Sequence, residues 1–441
     1  MAGSSLKRVI TICCALILTF SVTACAPSAP KPNPDGESAK PKSESGVEAA
    51  KKTTVTWLQW KKNELGEEKF NKVMNAFYAK FPNITVDVQD LPFDQVHDKI
   101  MTLNSAGTPP DVVIVNSPWY VEFAHNDIVM PLDDYYNTMP DDFKNNVKGP
   151  LWSEYNGKHY ALPFDTGTIA LFYNKKLLKE ANINPPTTWE ELEAAAVKLT
   201  NPAKGQYAFT GNMQTEPPTC ITYEVWPFML QAGAKLVSNN TAVFNSPEGV
   251  AGLEFYKKLL KDKKVMTPGE LTAGEKEKRA NFSAGNIAFM FEGPWGVGIQ
   301  QSANPDLEFG VVPMPKGKTT GTIVSGGGIG ITSKSKNKDA AWDFISFLGG
   351  EGQKVLAEVG IFPPNRAAFE SPVIQDDQYM KVFAEAFNGN AVNPDLSMPQ
   401  SDELRKLFTV EVQNYITGKK TAQQALDDAA ASWNKIFAQY K

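Results

Sequence analysis

Between the Pro109-Pro110 pair and Asn116 the chain reads Asp-Val-Val-Ile-Val, an almost unbroken β-branched run. A strand of this kind offers water no face, so it belongs inside a parallel sheet covered on both sides by helices. The segments before it agree. Thr54–Leu58 reads as a strand ending in Gln59-Trp60, and Ile84–Val88 reads as another. Between them, Glu67–Lys80 places Phe70, Val73, Met74 and Phe77 on one helical face. A second helix, Phe93–Asn104, is closed by Gly107 and the two prolines. The order β-α-β-α-β predicts a doubly wound α/β body. Such sheets bind ligands beyond the carboxyl ends of their strands, which here carry Gln59, Trp60, Asn116, Ser117 and Trp119.

Downstream the texture changes at a proline. Leu151–Tyr155 and His159–Pro163 read as short extended runs joined by Asn156-Gly157, a dipeptide suited to the positive φ angles of a tight hairpin. Pro163 interrupts the pattern, Phe164-Asp165-Thr166-Gly167 follows, and Thr168–Tyr173 resumes as a buried strand. A strand that stops, exposes polar groups and restarts predicts a crossing between two folded bodies. Asn174 is expected to cap a helix through Leu178, and Thr188 with Glu191 has capping-box spacing. The second body continues through helix Glu190–Leu199, Tyr207–Thr210, a segment around Thr222–Gln231 with Trp226, helix Glu248–Lys261 behind Ser246-Pro247, and helix Glu275–Phe282. Strand Asn286–Phe291 then ends in Glu292-Gly293-Pro294-Trp295-Gly296. Leu307–Val312 meets Pro313, a second strand-to-proline change. Beyond it lie the glycine-rich strand pattern Ile323–Ile331, a helix Asp339–Leu348 with Asn337 as its expected cap, and a helical C-terminus in which Thr421 and Gln424 form a capping box.

The first residues are not part of this pattern. Lys7-Arg8 precedes the apolar run Val9–Phe20, which is too short for a permanent span and fits a signal peptide. Val22-Thr23-Ala24-Cys25 resembles a bacterial lipoprotein box, which implies a lipid on Cys25; an ordinary secretory cleavage nearby is the competing reading. Residues 26–52 are rich in Pro, Lys, Ser, Glu and Ala and cannot bury enough surface to offset ordering. With Cys13 and Cys14 in the leader and Cys25 lipidated, Cys220 is left alone and no intramolecular disulfide forms. An exported body of this length must then stand on its hydrophobic core. The net charge of −5 gives no sign of nucleic-acid binding, and no later apolar run is long enough to cross a membrane.

Several motifs resemble one family, the extracellular solute-binding proteins of ATP-driven importers, and within it the carbohydrate-binding group that includes maltodextrin-binding protein. They are Gly107-Thr108-Pro109-Pro110-Asp111-Val112-Val113, the Leu162–Leu178 run followed by Pro186-Thr187-Thr188-Trp189-Glu190-Glu191-Leu192, Glu292-Gly293-Pro294-Trp295, and Ser325–Ile331 with Asn337–Leu348. The resemblance extends from about Thr53 to Lys441 and implies two α/β lobes joined by several crossings, near Pro163, Pro313 and Phe362–Pro364. Lobe one would comprise 53–163 and 314–362, and lobe two 164–313 and 363–441, after a leader (1–24) and a lipidated tether (25–52). It also implies a carbohydrate ligand and a membrane permease as partner; a monomer without cofactor is expected, and the scattered His97, His125 and His159 disfavour a metal.

Sugars present C–H faces that stack on aromatic rings and hydroxyls that need polar planar partners. The candidate ligand-binding set is therefore Gln59, Trp60, Asn116, Trp119, Asp165, Thr166, Trp226, Glu292, Trp295, Gly327 and Arg366. Trp295 leads it, because the family carries a stacking tryptophan after this Gly-Pro. Core burial is the competing reading for Trp119 and Trp226, and the expected one for Trp57, Trp189, Trp342 and Trp433. Helix-start binding competes for Glu292, capping for Asn116, and a structural ion pair for Arg366. The Gly326–Gly328 run lacks a following Lys-Ser/Thr, so close backbone approach explains it better than phosphate binding. A secreted glycosidase is a rival function on composition alone, but no nucleophile elbow, HExxH or zinc-spaced His/Cys set is present. A betaine-type quaternary ammonium is the better rival, since tryptophans also cage cations; a carboxylate set against the cation would mark it.

Overall fold

A computed structural model describes residues 52–147, 154–218, 221–389, 391–392 and 398–440. The leader, Cys25, the tether as far as Lys51, Cys220 and the start of the expected hairpin lie outside the described residues. From Lys52 onward the described chain belongs to one compact body. Among the described residues no helix is long and apolar enough to cross a membrane.

The strands of the two main sheets are, in chain order, β1 (Thr53–Gln59), β2 (Ile84–Asp90), β3 (Val112–Asn116), β4 (Leu162–Thr168), β5 (Ala170–Asn174), β6 (Tyr207–Phe209), β7 (Ile287–Glu292), β8 (Phe309–Val312), β9 (Thr322–Ile331) and β10 (Ala391–Val392). The first sheet holds β2, β1 and β3 in parallel, with β9 antiparallel on β3 and β4 antiparallel on β9; β10 adds to the end of β9. The second sheet has the order β8, β5, β7, β6, with β5 antiparallel to both neighbours and β6 parallel to β7. Every residue of β3 is buried, as its β-branched run requires.

Each sheet organises its own core. In the first, Trp57 stacks on Phe70 at 5.8 Å and meets Phe344 edge-on at 5.1 Å. In the second, Trp433 from helix Ala422–Phe437 packs against Phe244 at 4.9 Å and Trp226 at 6.2 Å. The capping box of that last helix is present, with Thr421 Oγ1 accepting from Gln424 N and Gln424 Oε1 from Thr421 N. Asn174 caps its helix through Leu177 N at 3.1 Å.

The structure corrects the sequence in three places. Asn156 and Gly157 make the positive-φ turn and close the isolated pair Tyr155–Lys158, but His159, Tyr160 and Ala161 after it form no strand. The strand proper begins at Leu162 and passes through Pro163 to Thr168 without stopping. Pro163 is tolerated because the register against β9 shifts between Gly327 and Gly328 where the two meet, so the missing N–H falls at an irregularity. Asn337 does not cap its helix; its amide donates to Thr54 O and to Asp111 instead. The glycine run does mark close approach: a Cβ on Gly327 would lie 2.6 Å from Val115 O, and one on Gly328 2.7 Å from Leu162 O. At the same level Thr166 N donates to Phe362 O at 3.0 Å, bringing the stretch after Pro163 beside the Phe362–Pro364 segment.

Candidate functional site

Where β1 ends the chain turns at once into the short helix Lys61–Leu65, which leaves Trp60 and Lys61 at the carboxyl edge of the first sheet. Trp60 packs edge-on against Phe93 (5.2 Å) and Trp119 (5.8 Å). Asn116 closes β3, Asp165 and Thr166 lie on β4, and Ser325 and Gly326 lie on β9. From the other sheet, β7 ends at Glu292, and Gly293-Pro294 turns the chain into helix Trp295–Ala303. The indole of Trp295 folds back over Gly293, where an added Cβ would sit 2.4 Å from the ring. Tyr223 packs beside that indole, with ring centroids 5.8 Å apart.

These groups meet in one cleft. An inner cavity of about 30 Å³ is lined by Trp60, Asn116, Asp165, Tyr223, Trp295 and Ser325, among others, and it has the volume of about one water. An outer cavity of about 680 Å³ shares Trp60, Glu64, Phe93, Glu275 and Arg279 with it. The outer space lies within the size range of small-molecule sites. The Tyr223 hydroxyl and Ser325 Oγ, 3.2 Å apart, bridge the two sides of the inner cavity.

The charges of the cleft are paired internally. Lys61 donates to Asp165 Oδ2 at 2.6 Å and to Glu64 Oε2 at 2.7 Å. Burial works against its charge, but Asp165 and Glu64 outweigh it and raise its pKa. Burial raises the Glu64 carboxyl. Arg279 joins Glu275 at 2.5 Å and Glu292 at 2.9 Å. Glu292, fully buried, also faces Lys278 at 3.5 Å and accepts from Trp295 Nε1 at 2.5 Å. Burial opposes its ionisation, yet Arg279 and Lys278 prevail and hold its carboxyl down to about 2. Glu292 is therefore the anchor that orients the indole.

The description of bacterial extracellular solute-binding proteins matches this chain over residues 63–355. The chain belongs to that family. Among its relatives are the maltotriose-binding protein of Pyrococcus abyssi, 27% identical over 79% of this chain and 74% of that one, and an arabinooligosaccharide-binding protein of Halalkalibacterium halodurans, 23% identical over 72% of this chain and 73% of that one. A solved solute-binding protein from Thermotoga lettingae, bound with α-D-tagatose, superimposes with a TM-score of 0.79 at 28% identity, covering 87% of this chain and 100% of that one. The maltose/maltodextrin-binding domain of Bdellovibrio bacteriovorus shares the two-lobe fold at a TM-score of 0.71 and 23% identity, over 87% and 100%.

Of the residues expected from sequence, the family member's cleft brings Trp60, Asn116, Asp165 and Trp295 to the inner cavity, with Thr166 lining the space behind Asp165 and Trp295. Glu292 stands directly behind the indole. The others are elsewhere. Gln59 is buried and ties Asp90 to Lys62 N. Trp119 stacks behind Phe93 and donates to Asp402, so it backs the aromatic wall. Trp226 is wholly buried in the second core, because Pro227 sits in the first turn of helix Trp226–Ala232 and does not break it. Gly327 holds sheet pairing, and Arg366 is exposed and paired with Glu370 four residues on. Sequence reasoning missed Lys61, Glu64, Phe93, Tyr223, Glu275, Arg279 and Ser325. The i,i+4 pair Glu275–Arg279 was visible, but on a helix such a pair reads as a solvated face.

Proposed function

We propose that the protein captures a sugar or oligosaccharide between its lobes and delivers it to the permease of an ATP-driven importer. The observation that carries this reading is the pairing of aromatic walls across one polar cleft: Trp60 and Phe93 beside the first sheet, Tyr223 and Trp295 beside the second. Sugar C–H faces stack on such rings while Asn116, Ser325 and the carboxylates meet hydroxyls. The binding of sugars by relatives and structural neighbours supports the same ligand class here. Ligand contacts made to both lobes favour the closed form by their differential affinity, and the permease reads that form. We place the protein on the outer face of the cell membrane, held by a lipid on Cys25 and the tether to residue 52. It acts as a monomer, by binding and without catalysis.

The cation-cage alternative gains nothing from the cleft, because its carboxylates already face Lys61 and Arg279. Tryptophan fluorescence titrated with mono- and oligosaccharides and with betaine tests the reading. At least one sugar should give a saturable change, and Trp295→Ala should weaken its binding by about 2 kcal/mol or more. A response to betaine alone would replace the sugar by a quaternary ammonium.

A further inference from the structure

Trp119 belongs to the first core, yet its indole Nε1 donates to Asp402 Oδ2 at 2.9 Å. Asp402 lies in the first turn of helix Ser401–Ile416, whose Leu404, Phe408 and Val412 are buried in the second core. The bond therefore joins the two cores beside the cleft, where the same indole stacks on Phe93 at 5.6 Å. Against that indole also lies His97, with ring centroids 5.1 Å apart, itself stacked on Phe123 at 5.6 Å. Its Nε2 meets Glu122 Oε2 at 3.0 Å and its Nδ1 meets Asp98 Oδ1 at 3.3 Å. One imidazole thus answers to Glu122 and Asp98 from helices of the first core and to Asp402 from the second. Arg405 attracts Asp402 as well, but the two stand on one helix and keep that relation however the lobes move.

Resting on the sugar-capture reading, we propose that His97, Trp119 and Asp402 form a proton-sensitive latch between the lobes: a charged His97 lets the Asp402 carboxylate dock beside Glu122, so that sugar capture takes up a proton. The charges decide the sign. Asp402 and Glu122 repel each other once they are brought together, and a neutral imidazole offers them no counter-charge. A protonated one attracts both. Glu122 and Asp98 accompany His97 in the open and in the closed form, whereas Asp402 reaches it on closure. Closing the lobes therefore strengthens the hold of His97 on its proton. The raised pKa of His97 agrees: burial works against the charge, but Glu122, Asp98 and Asp402 outweigh it. Sugar affinity is then highest below the His97 pKa of the free protein, and it falls as pH rises through that of the bound one.

The probe is the neutral sugar that binds in the fluorescence titrations, because it carries no titrating group of its own. Calorimetry in two buffers of different ionisation enthalpy should show uptake of about 0.3 proton on binding near the His97 pKa, and affinity should fall about three- to fivefold between pH 6 and pH 8. The chain has three histidines, so ring-proton NMR resolves them. On saturation with the sugar the His97 signal should titrate at higher pH, while His125 and His159, held by Tyr155 and Asp133, keep their positions. His97→Gln and Asp402→Asn should each abolish the proton uptake and flatten the pH profile; the asparagine still offers Trp119 an acceptor. The NMR comparison uses the wild-type protein, so a misfolded variant does not shield the proposal. Sugar binding with an unmoved His97 titration, or a pH profile unchanged in folded His97→Gln, overturns the latch while sugar capture stands. If no sugar binds at all, both fall.

Discussion

Replacing Glu292 by Gln removes the negative charge at the centre of a fully buried cluster. Its carboxylate meets Arg279 Nε at 2.9 Å and Lys278 Nζ at 3.5 Å, and it accepts from Gly293 N and Trp295 Nε1. Breaking a buried ion pair from one side costs about 3–5 kcal/mol, because the remaining charge is left uncompensated. Two features place this site at the low end. Arg279 keeps Glu275, and Lys278 keeps the carbonyl of Phe291 at 3.0 Å. The same two cations depress the Glu292 carboxyl, which agrees in sign. A carboxyl moved from 4.5 to about 2 is worth roughly 3 kcal/mol, at about 1.4 kcal/mol per pH unit. Its folded pKa is depressed, so this stability is present above pH 4.5 and is lost as the pH falls from there toward 2. Urea unfolding of the ligand-free protein at neutral pH should show Glu292→Gln less stable by about 3 kcal/mol, with the wild-type loss below pH 4.5 reduced in the variant. A stability change under about 0.5 kcal/mol, with an unchanged acid limb, would refute the argument that this cluster is held by charge.

Glu224 should act in the opposite sense. It is fully buried, its Oε2 accepts from the Tyr256 hydroxyl, and burial pushes its carboxyl up to about 7 despite Lys278. The folded state then holds a proton that the unfolded chain releases, so stability should fall by roughly 3 kcal/mol as pH rises from about 4.5 to about 7; Glu224→Gln should flatten that fall in urea titrations across the range. Gly167→Ala places a Cβ 2.4 Å from the ring of Pro294 and 3.6 Å from the Trp295 indole. That clash opposes closure, so sugar affinity measured by calorimetry should drop about tenfold, and unchanged affinity would show that the two segments separate freely in the bound form.

What the sequence disclosed follows from how local each signal is. The β-branched run before Asn116 and the Thr421–Gln424 box depend on neighbours in the chain, and both appear where they were expected. Pro163 could not be read locally, because its place inside a strand depends on Gly327 and Gly328 of a distant partner. Trp60, Asp165 and Trp295 were legible since each follows a strand or turn signal. Trp226 misled because a tryptophan suits a sugar platform and a core equally, and only its packing against Phe408 and Trp433 in the second core decides for burial. Lys61, Glu275 and Arg279 became cleft residues only through packing across the lobes, which no helical periodicity records.

The central claim is that one sugar is gripped from both lobes. Calorimetric titration of the wild-type protein, Trp60→Ala and Trp295→Ala with the best-binding neutral oligosaccharide tests it most directly. Each single substitution, one per lobe, should weaken binding by about 2 kcal/mol; Trp60→Ala, which also removes a buried ring from against Phe93 and Trp119, should lower Tm as well, so titrations are run well below the Tm of each variant. Undiminished affinity in either folded variant would mean that the ligand rests on a single lobe and would contradict the clamp.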